Sequence, residues 1–159
     1  MIIILKNKYT LQVDEFFFKC SVGKNGFTKK KIEGDKKTPK GTFDLEHLYY
    51  RKDRLDKPHT SLKCIEISKN MGWCNDVEYP KKYNQLVNTQ NKLKCEKLKR
   101  YDYKYDLFIP IKYNFINPKV GIGSAIFIHL TKDYKPTAGC IALSKKAFLI
   151  MLKIFKKNT

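Results

Sequence analysis

The segment that most constrains the fold is residues 121–143, GIGSAIFIHLTKDYKPTAGCIAL. Two apolar runs flank a polar loop, a pattern that predicts a strand, a loop and a second strand. His129 ends the first run, and Cys140 follows eleven residues later inside the T-A-G-C segment. A thiol and an imidazole held near each other are the minimum for a thiolate nucleophile with its general base. The pattern therefore raises the hypothesis of a cysteine-dependent acyl transferase, to be weighed against structural roles for both residues.

The rest of the chain predicts a mainly β fold with a C-terminal helix. The helix is expected to begin after Ser144, a favourable N-cap residue, and to bury Phe148, Leu152 and Phe155 on one face. A second, short helix is expected within residues 91–100, NKLKCEKLKR. Segments rich in β-branched and aromatic residues predict strands within 2–5, 10–22, 42–50, 62–68, 107–115 and 125–130.

Length and composition predict one domain that covers residues 1–159, because no composition shift marks a linker. No apolar run approaches the length that crosses a bilayer, so no membrane span is expected. The N-terminal residues MIIILKNKYTLQV lack a basic region, a long apolar region and a small-residue cleavage site. They are interpreted as the first strand rather than as a secretory signal.

The formal net charge of +18 raises an alternative, a non-catalytic basic module that binds nucleic acid or an anionic wall polymer. Phosphate clamping and base readout favour arginine, whose planar fork binds in a bidentate manner. Only Arg51, Arg54 and Arg100 are arginines among the 33 basic residues, and the lysines are scattered along the chain. Solvated surface lysines are therefore the preferred interpretation, and no nucleic-acid partner is expected.

The five cysteines, at positions 20, 64, 74, 95 and 140, are odd in number and contain no C-x-x-C pair. Their spacing matches neither a zinc site nor a small disulfide scaffold. A lone cysteine after a glycine is more often an inert buried thiol than a nucleophile. A lone histidine that ends a strand is more often a structural residue than a base. Residue chemistry alone therefore leaves the catalytic and the structural interpretation of Cys140 and His129 open.

Several neighbours of the candidate pair are possible parts of a site. Gly139 lets the backbone turn sharply before Cys140, so that the N–H groups of both residues can stabilise an oxyanion. Arg100 could bind a substrate carboxylate, or could instead complement the dipole at the end of the predicted helix. Thr137 could orient the loop or contact the substrate.

Short motifs in a fixed order carry a resemblance to a known family. They are residues 31–43 (KIEGDKKTPKGTF), 73–76 (WCND), 83–84 (YN), 96–98 (EKL), 105–106 (YD), 113–114 (YN), 123–129 (GSAIFIH) and 136–140 (PTAGC). Together they resemble the compact branch of the YkuD-type L,D-transpeptidase catalytic domains, over residues 22–154. The resemblance implies a β-rich sandwich of this family with short helices.

The resemblance also implies a reaction. Cys140 would be the nucleophile, His129 the general base and acid, and the Gly139 and Cys140 N–H groups the oxyanion donors. The donor would be a peptidoglycan tetrapeptide stem that releases D-alanine and leaves a thioester on Cys140. An amine of another stem would then give a 3→3 cross-link, or water would give L,D-carboxypeptidase activity. No metal or organic cofactor is implied, and the group that orients His129, often a backbone carbonyl in the family, is not identifiable from sequence.

Three departures from the better-known family pattern leave the second step open. Ala138 stands where that pattern has a second histidine, Ala142 stands where it usually has an arginine, and the His129-to-Cys140 spacing is shorter than usual. The compact branch resembles the chain in these features, so they leave open the acceptor and the choice between transfer and hydrolysis.

The expected location is equally open. The implied substrate indicates the periplasm or cell envelope. The lack of a signal peptide keeps a cytoplasmic enzyme possible, one that hydrolyses another amide or thioester with the same cysteine and histidine.

Overall fold

The computed structural model describes residues 1–155, and strands dominate it. This confirms the prediction of a mainly β fold with a C-terminal helix. A single 3-10 turn covers Thr89–Asn91, and helix α1 covers Lys145–Ile154. The strands are β1 Ile3–Asn7, β2 Thr10–Val13, β3 Phe16–Ser21, β4 Phe27–Thr28, β5 Thr38–Pro39, β6 Leu48–Tyr50, β7 Cys64–Glu66, β8 Met71–Cys74, β9 Leu86–Asn88, β10 Cys95–Lys97, β11 Leu107–Pro110, β12 Phe127–Leu130 and β13 Ile141–Leu143.

The largest sheet has eight strands in the order β1-β2-β3-β13-β12-β11-β6-β7. Its central pair, β12 and β13, is parallel, with His129 opposite Ala142. Because parallel neighbours start at the same end of a sheet, the connection over residues 131–140 runs back to the start of β12. This return brings Cys140, which directly precedes β13, beside Phe127 at the start of β12. A three-stranded sheet, β10-β8-β9, and the pair β4-β5 complete the strands.

The central strands of the large sheet are buried on both faces, and successive side chains contribute to two separate cores. On β11, for example, Leu107 and Ile109 belong to a first core that helix α1 covers, whereas Phe108 belongs to a second core. The second core lies between the large sheet and the three-stranded sheet and includes Trp73 and Cys140. The candidate nucleophile is therefore on the face opposite the helix.

Helix α1 begins as predicted. The Ser144 hydroxyl accepts a hydrogen bond from the Ala147 N–H at 3.1 Å and so caps the first turn. Phe148, Met151 and Leu152 are buried against the first core, which confirms the expected apolar face. The helix ends at Ile154, and the part of the predicted helix beyond residue 155 lies outside the described residues. No helix within residues 1–155 is long and apolar enough to span a membrane.

Each predicted segment contains a strand, and apart from β1, which extends to Asn7, the strands are shorter than expected. The segment 10–22 is a hairpin, β2 and β3, in which Asp14 adopts a left-handed conformation with φ of 50°. Within 42–50 only β6 is regular, and within 107–115 the strand ends at Pro110, beyond which Ile111 forms only an isolated bridge with Leu45. Turns and bridges interrupt the apolar runs that sequence pattern alone joins into longer strands.

The predicted helix within 91–100 is wrong. Residues 95–97 form strand β10, which pairs antiparallel with β8, and Lys92 adopts a left-handed conformation with φ of 52°. Leu98 is fully buried in the second core. The segment contains good helix formers, but pairing with β8 and burial of Leu98 favour the extended backbone, and such tertiary contacts override the weak helix propensity.

Candidate active site

Cys140 is held at the start of β13 by two backbone contacts from the strand next to it. Its Sγ donates to the Ala125 carbonyl at 3.2 Å and accepts from the Phe127 N–H at 3.3 Å. The side chain is 9 % exposed and packs in the second core. The parallel register explains the contacts, because Ile141 lies opposite Ile128 and Cys140 is therefore level with Phe127.

Burial raises the pKa of the Cys140 thiol to about 12. The Phe127 N–H and the Lys31 ammonium act in the opposite direction, whereas the Glu96 carboxylate adds to the increase. A buried thiolate lacks hydration, and these partners do not compensate for the loss. The side chain of Cys140 is therefore a neutral thiol at neutral pH.

His129 lies on the same face of the sheet, with its ring orientation set by its own strand. Its Nδ1 lies 2.9 Å from the Leu130 carbonyl oxygen. A carbonyl only accepts, so Nδ1 carries the proton and Nε2 has the free lone pair. The ring also packs edge-on against Tyr105, with 5.6 Å between the ring centroids. The orienting group that sequence could not identify is thus the neighbouring backbone carbonyl.

The imidazole of His129 is neutral at physiological pH. Burial lowers its pKa to about 4, and the hydrogen bond to Leu130 only partly opposes this effect. The basic side chains of Lys104 and Arg100 lower the pKa further. A neutral imidazole with a free Nε2 can accept a proton from a thiol, which is what a general base must do.

Both side chains line one cleft with a volume of about 560 Å³. Cys140 and His129 lie in its wall together with the loop residues Thr137 and Ala138. The cleft also contains charged groups, namely Lys31, Glu33, Glu96, Arg100, Lys104, Asp133 and Lys135. A polar, peptide-sized substrate could therefore reach the sulfur and the imidazole at the same time.

We expect the alkylation rate of Cys140 by iodoacetamide to rise roughly tenfold per pH unit from pH 7 to pH 10, because only the thiolate reacts. Peptide-resolved mass spectrometry would separate Cys140 from the other four cysteines. A free cysteine peptide is the control, since its rate levels off above its pKa of about 8.5. A plateau for Cys140 below pH 8 would instead indicate a resting thiolate–imidazolium pair.

Thr137 holds the loop that precedes Cys140 by hydrogen bonds. Its Oγ1 donates to the Cys140 carbonyl at 2.6 Å and accepts from the Gly139 N–H at 3.1 Å. The Thr137 backbone is also bonded to the extension of β3, where its N–H donates to Val22 and its carbonyl accepts from Lys24. Thr137 thus orients the loop in this structure. Oxyanion stabilisation by the Gly139 and Cys140 N–H groups stays a prediction, and the Gly139 N–H would have to leave Thr137 to contribute.

Thr38, the first residue of β5, also holds this loop in place. Its Oγ1 donates to the Gly139 carbonyl at 2.8 Å and accepts from the Gly23 N–H at 2.9 Å. The residue is 2 % exposed. Gly139 has a φ of 142°, a conformation in which most side chains are strained, so a fixed carbonyl helps to hold this backbone.

We expect Thr38→Val to lower turnover roughly tenfold, because the valine has nearly the same shape but leaves the Gly139 carbonyl without its donor. The free energy of unfolding should fall by about 1–3 kcal/mol for the same reason. Thr38→Ser keeps the hydroxyl and is the matched control. Equal activity of the valine and serine variants, measured at saturating substrate, would show that this hydrogen bond does not position the nucleophile.

Asn84 positions the backbone of Ala125, whose carbonyl accepts a hydrogen bond from the Cys140 thiol, a role that sequence reasoning missed. Its Oδ1 accepts from the Trp73 indole at 2.8 Å and from the Ala125 N–H at 3.0 Å. Its Nδ2 donates to the carbonyls of Tyr113 and Asn114. The motifs 73–76, 83–84 and 113–114 therefore meet at one buried amide, which fixes Ala125 against Cys140.

Arg100 also lines the cleft, but its guanidinium already has partners. Nε and one terminal nitrogen bind Asp102 at 2.9 and 2.6 Å, and the other terminal nitrogen lies 3.7 Å from Glu96. The alternative of a charge at a helix end is wrong, because residues 91–100 are not a helix. Binding of a substrate carboxylate by Arg100 stays a prediction and would require competition with Asp102.

Glu96, which is half-buried, and Tyr105, which is buried, form a polar pair next to His129 in the cleft. The Tyr105 hydroxyl donates to Glu96 Oε1, and the Tyr105 ring contacts the imidazole. Burial raises the pKa of Glu96. The hydrogen bond from Tyr105 and the positive charge of Arg100 partly oppose this increase. Both residues lie in motifs that sequence analysis identified, but their meeting at the site depends on the β8–β10 pairing that it missed.

Comparison with known families gives a match for residues 2–159, essentially the whole chain, to the model of YkuD, the L,D-transpeptidase catalytic domain. No curated protein and no solved structure matches the chain. The family match covers the nucleophile loop, the histidine strand and the motifs that meet at Asn84. The chain therefore belongs to the YkuD family of L,D-transpeptidase catalytic domains.

Proposed function

We propose that the protein is a cysteine acyltransferase that acts on peptidoglycan tetrapeptide stems and carries the acyl group as a thioester on Cys140. Family membership supports the substrate class, since YkuD domains are cysteine-dependent peptidoglycan transpeptidases and carboxypeptidases. The observation that carries the proposal is the neutral His129, with Nε2 free, in the same cleft as the Cys140 thiol.

The first half-reaction begins with a neutral thiol and a neutral imidazole. Sγ attacks the carbonyl of the third stem residue while its proton moves to His129 Nε2, which gives a tetrahedral oxyanion. Collapse of this intermediate breaks the amide bond, and the leaving D-alanine nitrogen takes the proton from Nε2. Because the pKa of the resting thiol is raised to about 12, proton transfer accompanies the attack rather than preceding it.

In the second half-reaction the thioester passes to an acceptor. A side-chain amine of a second stem attacks the thioester carbonyl and loses a proton to Nε2, and the thiolate leaves and is reprotonated. The product is a 3→3 cross-link. If water attacks instead, the product is a tripeptide stem and the activity is that of an L,D-carboxypeptidase.

Oxyanion stabilisation is assigned to the N–H groups of the Gly139–Cys140 segment. The Thr38 and Thr137 hydrogen bonds hold this segment before substrate binds, and the Gly139 N–H exchanges Thr137 Oγ1 for the oxyanion when it contributes. The proposed substrate also implies a location in the periplasm or cell envelope. Fractionation of cells that express the tagged protein would test that location directly.

The test of the proposed function is mass spectrometry of purified protein incubated with a disaccharide-tetrapeptide. We expect loss of one D-alanine when the stem is supplied alone, or a cross-linked dimer when an acceptor stem is in excess. Intact-protein mass spectrometry in the same samples should detect the acyl-enzyme on the Cys140 peptide. The ratio of tripeptide to dimer distinguishes hydrolysis from transfer.

The control is Cys140→Ala, with its fold checked by circular dichroism. Product formation by this variant, or absence of both product and adduct with folded wild-type protein, would contradict the proposed function.

A further inference from the structure

Lys31 is a buried lysine in the wall of the active-site cleft, and the reaction outlined above gives it no role. Its side chain is only 3 % exposed. Lysine is almost never buried to this extent without a compensating partner. Two glycines make room for it: a Cβ at Gly123 would lie 3.0 Å from Lys31 Cε, and one at Gly139 would lie 3.5 Å from Nζ. The ammonium group is therefore directly beside the loop that carries the nucleophile.

The ammonium has more hydrogen-bond donors than the protein uses. Nζ donates to Asp35 Oδ1 at 2.7 Å, and no other residue within 1–155 accepts from it. The Asp35 carboxylate is itself fixed by the N–H groups of Ile32 and Lys37. Two of the three ammonium N–H groups thus remain for a ligand or solvent in the cleft. Because a buried charge with unused donors is costly, such a group is well suited to bind an anion.

The other cations of the cleft are less well suited to bind an anion beside the sulfur. Arg100 is engaged by Asp102 in a bidentate pair. Lys104 and Lys135 are exposed, and Lys135 pairs with Asp133 at 3.4 Å. Lys31 is buried and held by a fixed carboxylate, and its charge favours ionisation of the Cys140 thiol.

The substrate of the proposed reaction carries a carboxylate close to the carbonyl that Cys140 attacks. In a tetrapeptide stem, the carboxylate of the terminal residue lies only three bonds beyond the carbonyl that the sulfur attacks. In an extended backbone this separation is about 4 Å. A cation beside Gly139 can therefore reach the terminal carboxylate while Cys140 reaches the scissile carbonyl.

We propose that Lys31 binds the free C-terminal carboxylate of the donor stem and thereby restricts the enzyme to removal of one terminal residue. This inference rests on the proposed function, and it adds a specificity-determining residue to it. The ligand class is a peptide C-terminal carboxylate. An elongated or amidated C-terminus would leave the buried ammonium without its anion.

The first test compares a disaccharide-tetrapeptide with the same compound carrying a C-terminal carboxamide, both with wild-type protein. We expect kcat/KM to be roughly 10- to 100-fold higher for the free acid, the range for one hydrogen bond between charged groups. The difference should be mainly in KM, because the carboxylate is bound equally in the ground state and the transition state. Equal kcat/KM for acid and amide would overturn the inference and leave the proposed function intact.

The second test uses Lys31→Met, which removes the charge and keeps most of the side-chain length. We expect this variant to lose the preference, with kcat/KM for the acid falling to within about threefold of that for the amide. Lys31→Arg should retain part of the preference. Lys135→Met removes a lysine that lines the same cleft but is exposed, and it should keep the wild-type preference. An equal fall in kcat for acid and amide would instead assign Lys31 to stabilisation of the thiolate or oxyanion.

A binding measurement makes the inference independent of turnover. Calorimetry with Cys140→Ala should give at least about tenfold tighter binding of the acid than of the amide. The double variant Cys140→Ala, Lys31→Met should not distinguish the two. If the wild type turns over neither substrate but Cys140→Ala still binds the acid more tightly than the amide, the proposed chemistry is wrong and the carboxylate subsite at Lys31 stands. Equal binding by Cys140→Ala would overturn the subsite.

Discussion

Replacing Cys140 with alanine should reduce turnover of the tetrapeptide stem by roughly 10⁴-fold or more, because the variant lacks the thiol on which the acyl-enzyme is proposed to form. The fold should survive. The Sγ atom has two hydrogen bonds, to Ala125 and Phe127, and their loss should lower the free energy of unfolding by about 1–2 kcal/mol. Single-turnover product analysis and urea denaturation of the same preparations measure the two effects separately.

The matched control is Cys140→Ser. The serine hydroxyl can make the same two kinds of hydrogen bond, so its stability should be closer to that of the wild type. Its activity should nevertheless remain close to that of Cys140→Ala, since a hydroxyl is a much weaker nucleophile than a thiol with the same base. If both variants kept more than a tenth of wild-type activity, the thioester mechanism would be wrong.

Replacing His129 with asparagine should lower kcat/KM by roughly 10²- to 10⁴-fold, the usual contribution of a general base. The asparagine amide lies close to the position of Nδ1 and can still donate to the Leu130 carbonyl, but it has no group in place of Nε2. His129→Gln is the complementary variant, because its amide reaches the position of Nε2 without being a useful base. Similar losses in both variants would assign the effect to proton transfer rather than to loss of the Leu130 contact.

The pH profile gives a second measure of the role of His129. The imidazole must be neutral to accept a proton, and its pKa is lowered to about 4. As the pH falls through this value the base becomes protonated, so wild-type kcat/KM should fall below about pH 5 and not near pH 6.5. The small residual activity of His129→Asn should lack this acidic limb. An acidic limb near pH 6.5 in the wild type would mean that the ring is more hydrated than its burial indicates.

The sequence alone was sufficient to identify the candidate pair and the frame that holds it. The apolar run before His129 and the short run after Cys140 predict two strands, which the structure contains as β12 and β13. Ser144 and the apolar spacing after it predict helix α1, which begins and packs as expected. These elements follow from local rules, since side-chain periodicity and capping act over a few residues.

Long-range pairing was not accessible to the same reasoning. Residues 91–100 have good helix propensity and no strand pattern, yet β10 forms there because β8 provides hydrogen bonds and the second core encloses Leu98. That pairing brings Glu96 close to Tyr105. The convergence of separate motifs on Asn84 depends equally on the fold of the whole chain.

The sequence by itself thus determined the family, the predominance of strands and the terminal helix, and it predicted the thiol and imidazole of the site. Only the tertiary structure decided their protonation, because desolvation by distant residues raises the pKa of Cys140 and lowers that of His129. The tertiary structure also decided that Lys31 lies buried beside Gly139, although the two residues are far apart in sequence. Local pattern specifies which groups exist and what backbone carries them, whereas burial and long-range contacts determine their charge and chemical reactivity.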